Sequence, residues 1–220
     1  MWQSFCCITL PCTTAARPFS SHRLLVLLNT WPVPVKNTLD VQVLSDAKES
    51  GYTLGDGVKD DSPFVGVLRS KGFCWIGPTK WSGANEDAYR HDTAMYWSHA
   101  GKHFSLNANG KWWGSLKTYD GWESYMKKLF KDNEGEYERI LKEDFVSEEF
   151  GDRRQELVFI GTGIEKDEIT KALDECLLTD EELETYRQKL KNYQDTVLSA
   201  QNAGPSLFDV EGGVEHTEVQ

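Results

Sequence analysis

Apolar side chains recur at helical spacing in two stretches near the end of the chain. The first stretch predicts a helix that follows residue 164, and its apolar face consists of Ile169, Ala172, Leu173, Cys176 and Leu177. Thr179 and Glu182 then form a capping box, which predicts the start of another helix. The apolar positions of this second helix are Leu183, Tyr186, Leu190, Tyr193 and Val197. This stripe is narrow, so we expect the second helix to pack along one edge.

Two further helical regions are predicted earlier in the chain. A Ser20–Ser21 cap precedes an apolar helix over residues 22–29, which the prolines at 32 and 34 must end. Residues 122–145 also carry apolar side chains at helical spacing, but Asn133 and Gly135 interrupt the pattern. We therefore expect two helical pieces in that region.

The remaining ordered segments are predicted to be strands. Residues 64–76 and 156–160 are rich in β-branched and aromatic residues. Residues 96–100 and 102–106 predict a hairpin whose turn is centred on Ala100–Gly101, and residues 107–110 predict a further turn. These patterns are typical of antiparallel sheet.

Several segments lack such patterns. Residues 1–16 are predicted to be a disordered or remnant N-terminus, and residues 36–62 a polar loop. The helix that follows Thr179 is predicted to extend over 185–198, and residues 199–220 to form a flexible acidic tail that contains Gly204–Pro205.

The charge of the chain restricts its partners. The 220 residues carry a net charge of −11, and residues 120–220 hold 26 of the 35 acids. This negative charge argues against nucleic acid or an anionic membrane surface as a partner. No stretch reaches the roughly 18 to 20 apolar residues of a membrane span. We expect a cytoplasmic protein, with organelle import as an alternative because residues 1–39 contain no acid.

The cysteines predict neither a disulfide framework nor a strong metal site. The chain has five cysteines, an odd number, and most lie far apart. A reducing compartment fits this usage. Cys6, Cys7 and Cys12 form the only cluster, and it lacks the paired spacings and nearby histidines of a zinc site.

No catalytic motif is present in the sequence. The pattern G-x4-G-K-[ST], which wraps backbone amides around a phosphate, is absent, and so is G-x-S-x-G. Gly161-Thr-Gly163 follows a strand and precedes a helix, but Lys166 occupies the third glycine position of a dinucleotide fingerprint. We interpret this segment as a helix-start turn and predict no catalytic residue and no cofactor.

The histidines do not predict a shared metal site. A hairpin with a two-residue turn at Ala100–Gly101 would place His103 opposite Ser98. His99 and His103 would then lie on opposite faces of the sheet. His91 is predicted to be solvated in a polar loop.

Two cations stand out in the strand over residues 64–76. Arg69 and Lys71 occupy alternating positions, so one face of an otherwise apolar strand carries both charges. They either pair with acids of the second half of this domain or contact an acidic partner surface. We take Arg69 and Lys71 as the candidate partner-contact residues.

Five segments in order resemble the C-terminal domain of CobW-type proteins, the family of GTP-dependent metal-handling proteins. The segments span about 17–184 and are Arg17–Phe19 with Arg23–Leu24, Gly66–Ile76, Trp97–Gly101 with Gly110–Trp113, Arg153–Gly161, and Leu173–Glu182. The resemblance implies an α+β fold in which helices pack on one face of an antiparallel sheet. Residues 36–62 and 120–148 look like insertions relative to the family pattern.

The resemblance also implies a function. Family members place this domain after a GTPase domain with a P-loop and a cysteine-rich metal motif, and neither is present in this chain. The chain is therefore predicted to be a non-catalytic protein-interaction module that docks to a GTPase domain or to a metal-receiving client protein. One alternative is a free-standing zinc- or cobalt-binding protein that uses Cys74, Cys176 or the histidines. Another is a fragment of a GTP-hydrolysing metallochaperone whose N-terminal half lies outside this sequence.

Overall fold

The computed structural model describes residues 5–10, 17–31, 36–39, 62–77, 91–117 and 121–201. In these residues the strands are β1 (Phe5–Leu10), β2 (Phe19–Ser20), β3 (Lys36–Leu39), β4 (Val67–Cys74), β5 (Ile76–Gly77), β6 (Thr93–Ala100), β7 (His103–Lys111) and β8 (Glu156–Thr162). The helices are α1 (Ser21–Leu28), α2 (Trp113–Leu116), α3 (Trp122–Leu129), α4 (Glu134–Arg139), α5 (Lys166–Asp174) and α6 (Asp180–Gln201). A π-helical segment, Ile140–Asp144, continues α4.

Six of these strands form one sheet, and β2 pairs with β5 outside it. The order in the large sheet is β1-β8-β4-β6-β7-β3. All of its neighbouring strands are antiparallel except β3, which runs parallel to β7. The predicted α+β class with an antiparallel sheet is therefore confirmed.

The main hydrophobic core lies between one face of this sheet and two helices. Alternate residues of the strands, such as Trp97, Phe104 and Phe159, point into this core and are almost fully buried. Leu24 of α1 and Ile169 of α5 cover them from the other side. The apolar positions recognised at helical spacing in the sequence therefore form the helix side of the core.

A second core packs α6 against the end of the sheet. Leu183, Tyr186 and Leu190 on one edge of α6 meet Trp75 and a set of neighbours that consists of Ala94, Trp112 and Phe150. Packing along one edge was predicted for this helix. The side chains of Tyr193 and Val197, the other members of the predicted stripe, lie outside the described residues.

Both predicted helix caps are present. The hydroxyl of Ser20 accepts a hydrogen bond from the backbone N–H of Arg23. The backbone N–H of Thr179 donates to the Glu182 carboxylate at 2.8 Å, and the Glu182 N–H donates to the Thr179 hydroxyl at 3.3 Å. The Glu182 carboxylate also accepts hydrogen bonds from both terminal nitrogens of Arg23, at 2.9 and 2.6 Å. The start of α6 is thus fixed to α1 as well as capped.

The predicted insertion over residues 120–148 contains the two expected helical pieces. α3 ends at Leu129, and Asn133 directly precedes α4. Trp122, Met126 and Ile140 form a third, smaller core between them. No helix in the described part of the chain is both long enough and apolar enough to cross a membrane.

Two segments predicted to lack structure contain strands. Residues 5–10, assigned to the unstructured N-terminus, form β1 and pair with β8 at six consecutive positions. Residues 36–39, assigned to a polar loop, form β3 beside β7. Both are edge strands, and an edge strand is stabilised by its neighbour in the sheet, so a local pattern reveals it poorly. Helix α6 likewise continues through 199–201, and residues 202–220 lie outside the described residues.

The hairpin differs from its prediction at both ends. Its turn is centred on Gly101–Lys102, which places Ala100 opposite His103. The expected turn over residues 107–110 is wrong, because β7 continues to Lys111. The register shifts there by one extra residue of β7, a β-bulge that Gly110 accommodates with a φ of +103°.

Candidate functional site

The candidate docking surface is the face of the sheet that points away from the main core. We call it the open face. Its members on the central strands are Arg69, Lys71 and Phe73 of β4, Tyr96, Ser98 and Ala100 of β6, and Glu156, Val158 and Ile160 of β8. All nine residues are at least partly exposed, whereas the alternate positions Ser70, Trp97 and Phe159 are nearly inaccessible.

The strand register sets the surroundings of each cation. Arg69 lies between Ile160 on β8 and Ala100 on β6. Lys71 lies between Val158 and Ser98. Each positive charge thus has an apolar neighbour on one side and a small residue on the other, so neither neighbour covers it.

Phe73 extends this surface by one more position along β4. Its side chain is 36% exposed, and its ring lies 5.5 Å from that of Tyr96, measured between centroids. Aromatic side chains that remain partly exposed are enriched where proteins meet. Phe73 was not among the predicted contact residues, although its spacing of two residues from Lys71 was a sufficient signal.

No acid in the described residues neutralises the two cations. Neither Arg69 nor Lys71 forms an ion pair there, although both lie in a chain of net charge −11. Glu156 is the acid that the open face carries on β8, and Arg154 binds its carboxylate at 2.9 Å. The two cations, about 7 Å apart along β4, therefore form a local positive patch. Their role as partner contacts stays a prediction.

Cys74 and Cys176, the candidate thiols for metal binding, are buried in the main core. Burial raises the pKa of both thiols, for Cys176 to about 12. The Cys176 thiol donates to the Ala172 carbonyl at 3.3 Å. A thiol must lose its proton to bind a metal, and these two are held in the protonated form at neutral pH. In the described part of the chain no three or more His, Cys, Asp and Glu side chains converge on a possible metal position.

His99 and His103 lie on opposite faces of the sheet, as predicted, but in a different register. His99 is opposite Phe104 and points into the main core, where its Nε2 lies 2.9 Å from the Gly101 carbonyl oxygen. Burial lowers the pKa of His99. His103 is exposed beside Ala100.

The prediction of a solvated His91 is wrong, because His91 belongs to a buried polar cluster. Its Nδ1 is hydrogen-bonded to the Tyr186 hydroxyl, and its side chain packs beside Trp75. Burial, and then the charge of Arg153, lower the pKa of His91 well below its ordinary value. The imidazole is therefore neutral at physiological pH. Local polarity suggested exposure, but α6 covers this residue in the fold.

Arg153 holds the cluster together. Its Nε donates to the His91 carbonyl at 2.9 Å, and one terminal nitrogen donates to the Phe150 carbonyl at 2.8 Å. The other terminal nitrogen donates to the Ser115 hydroxyl and lies 3.7 Å from an oxygen of Asp92. All of its nitrogens thus have partners within the protein. This saturation indicates a structural role in joining the segment before β6 to the segment before β8.

Gly161 lies in β8 at a position where a side chain does not fit. A Cβ at this position would lie 2.1 Å from the backbone oxygen of Gly66, because the two backbones approach closely. The Thr162 N–H donates to that same oxygen at 3.0 Å. After β8, Gly163 adopts a φ of +63° and the chain enters α5 at Lys166, which confirms the predicted helix-start turn.

Comparison with known proteins places the chain in a family. The profile of the family described as "Cobalamin synthesis protein cobW C-terminal domain" matches residues 45–177. The protein "Zinc-regulated GTPase metalloprotein activator 1" of Dictyostelium discoideum is 36% identical over 126 residues, which cover 57% of this chain and 22% of that relative. No solved structure matches the chain.

The matched range fully contains three of the five segments that resemble the CobW C-terminal domain in the sequence, and it ends within a fourth. The remaining segment, Arg17–Leu24, lies before it but contacts the closing segment through Arg23 and Glu182. The chain spans about a fifth of the length of the curated relative that it matches. Since the family profile covers more than half of the chain, this protein belongs to the CobW family through that family's C-terminal domain.

Proposed function

We propose that this chain is a non-catalytic docking module of CobW-type metal homeostasis, and that its open face binds a GTPase domain of that family. The observation that carries the proposal is the positive patch of Arg69 and Lys71. It is exposed, it has no ion pair in the described residues, and it lies among partly exposed apolar side chains. Such a surface fits a partner patch with an apolar centre and acidic groups around it.

Membership of the CobW family supports a GTPase domain as this partner. The name of the Dictyostelium relative describes a GTPase that activates a metalloprotein. This chain aligns with about a fifth of that relative. A module that corresponds to the family's C-terminal domain has the GTPase domain as its natural neighbour.

Charge reversal tests the proposal directly. The double variant Arg69→Glu/Lys71→Glu replaces attraction with repulsion at the centre of the open face. We expect the Kd for a recombinant CobW-family GTPase domain, measured by isothermal titration calorimetry, to weaken at least about tenfold. Binding of the unchanged chain should also weaken as salt rises, because exposed charges are screened over about 10 Å at 0.1 M.

A matched control separates this surface from general charge. Lys131→Glu/Lys142→Glu makes the same change in net charge at two exposed positions of the helical insertion. This control should bind like the unchanged chain. Equal affinity of both double variants would contradict a role of the open face, and no binding by the unchanged chain would contradict the partner.

The alignment covers only about a fifth of the Dictyostelium relative, which suggests a second candidate function. In this second proposal the chain is the C-terminal portion of a longer GTP-hydrolysing metallochaperone, and the same open face contacts the GTPase domain within one polypeptide. An antibody against this chain distinguishes the two cases in an extract of its own cells. A band well above 25.0 kDa indicates the longer protein.

Free-standing metal binding is the weaker alternative. The protonated, buried state of Cys74 and Cys176 argues against it. Equilibrium dialysis of the reduced chain with zinc or cobalt should show no tight binding that depends on these two residues. Loss of a tight site in a Cys74→Ser or Cys176→Ser variant that remains folded would restore this alternative.

A further inference from the structure

The two outer edges of the large sheet differ in their protection against pairing with another chain. β3 is four residues long, carries Lys36, and follows prolines at positions 32 and 34 in the sequence. β1 is six residues long and contains neither a charged residue nor a proline. Short length, charges and prolines are among the devices that keep natural edge strands from pairing. β1 has none of them.

The geometry of β1 suits a further strand. It pairs with β8 without any register shift, from Phe5 opposite Thr162 to Leu10 opposite Leu157. No other strand in the described residues pairs with its outer side. A regular edge strand directs half of its N–H and C=O groups away from its neighbour. Within the described residues, the outer side of β1 therefore presents a row of hydrogen-bonding groups.

We propose that β1 pairs antiparallel with β1 of a second copy of this chain, which joins the two sheets into one. Charge favours this edge over other surfaces. Two copies of a chain with a net charge of −11 repel each other, but β1 brings no charge to the contact. A two-fold pairing uses the same edge on both copies, and the protected β3 edge stops growth at the dimer.

The faces of the strand limit the register. Ile8 points into the main core, and Cys7 is exposed on the other face. Directly opposed residues of an antiparallel pair share a face. If both cores lie on the same side of the joined sheet, the longest pairings place Cys7 opposite either Cys7 or Thr9 of the second copy. The open faces of the two copies then form one continuous surface.

β1 lies outside the residues that the family profile matches, so family membership does not imply this dimer. The contact also leaves Arg69 and Lys71 uncovered, because β8 separates β4 from β1. Dimerisation and docking to a GTPase domain are thus independent. The variant Arg69→Glu/Lys71→Glu should leave the dimer unchanged, and so a failure of one proposal does not decide the other.

Sedimentation equilibrium of the full chain in reducing buffer tests the dimer. We expect a mass that rises with concentration from 25.0 kDa to twice that value and no further. Cys7→Lys adds a cation on the exposed face of β1, and the pairing brings it close to its symmetry mate. The dimer Kd should weaken at least about tenfold. Two controls, Cys7→Ser and Asn107→Lys, should behave like the unchanged chain, since Asn107 is exposed on β7, four strands away from β1.

Hydrogen exchange on the unchanged chain gives an independent readout. The β1 amides that point away from β8 should be protected at high concentration and exchange faster after dilution. A monomer at every concentration up to the solubility limit would overturn the proposal. A dimer that persists in Cys7→Lys would do the same, and so would growth of the unchanged chain into larger assemblies.

Discussion

Replacing Arg153 with methionine removes the residue that joins the buried polar cluster. Methionine keeps a long side chain but offers no donor and no charge. The His91 carbonyl then loses its donor, and the Phe150 carbonyl keeps only the backbone N–H of residue 153, at 3.4 Å. The buried Asp92 carboxylate loses the larger of its two compensating charges, since Lys111 remains. If the cluster is structural, the variant must lose much of the free energy of unfolding.

The size of this loss follows from burial. The Arg153 side chain is 4% exposed, and that of Asp92 is 11% exposed. Removing one partner from a buried charge pair costs about 3 to 5 kcal/mol. A domain is stable by about 5 to 15 kcal/mol in total, so the variant should fold but be marginal. For a chain of this size the melting temperature should fall by about 6 to 20 °C.

The loss should also depend on pH. Burial already raises the pKa of the Asp92 carboxyl, and Arg153 opposes this effect. In Arg153→Met this opposing charge is gone while the Ser115 hydrogen bond and the Lys111 charge remain, so the folded-state pKa of Asp92 rises further. A carboxyl that holds its proton more tightly in the folded state destabilises that state as the pH rises above its unfolded pKa. The difference in free energy of unfolding between Arg153→Met and the unchanged chain should therefore be smaller near pH 4 than at pH 7.

Urea unfolding followed by tryptophan fluorescence measures this loss, because Trp75 and Trp112 lie in the second core. The neighbouring Arg154 provides the control. Its side chain is 25% exposed and pairs with exposed or partly exposed acids, so Arg154→Met should cost about 1 kcal/mol or less. The double variant Arg153→Met/Asp92→Asn should recover part of the loss at pH 7. Equal losses for the two methionine variants would refute the structural role of the cluster.

Three further predictions concern single positions. Burial lowers the pKa of His91, so below pH 6.5 the unfolded state binds a proton that the folded state excludes. The free energy of unfolding, measured with urea, should therefore rise as the pH approaches 6.5 from below. This dependence on pH should be weaker in His91→Gln. Hydrogen bonds to Arg23 of α1 lower the pKa of Glu182 to about 2. Glu182→Gln should therefore lower the free energy of unfolding by about 1 kcal/mol or less at pH 7. The difference between the variant and the unchanged chain should disappear as the pH falls from 4.5 toward 2. Gly72→Ala would place a Cβ 1.8 Å from a backbone oxygen of β8 and should prevent soluble expression. At Gly101 an added Cβ meets no atom within 4 Å, so Gly101→Ala should lower the free energy of unfolding by only about 1 to 2 kcal/mol, because its backbone is left-handed. Soluble and cooperatively folding Gly72→Ala protein would contradict the close approach of β4 and β8.

Local sequence chemistry determined the elements that stabilise themselves. The Ser20 cap, the capping box at Thr179 and the apolar face of α5 each depend on residues three or four positions apart. The alternation of Arg69 and Lys71 was equally visible, because a strand has a period of two whatever lies beside it. These features needed no knowledge of the rest of the chain.

The tertiary structure alone decided which segments meet. β1 and β3 are strands because β8 and β7 offer them hydrogen-bonding partners more than 60 residues away in the sequence. His91 has a polar local sequence, yet α6 and Arg153 bury it. The sequence placed two cations on one face, and only the packing of α1 and α5 on the opposite face left them exposed. Pairing and burial depend on contacts between distant residues, and a local pattern does not contain them.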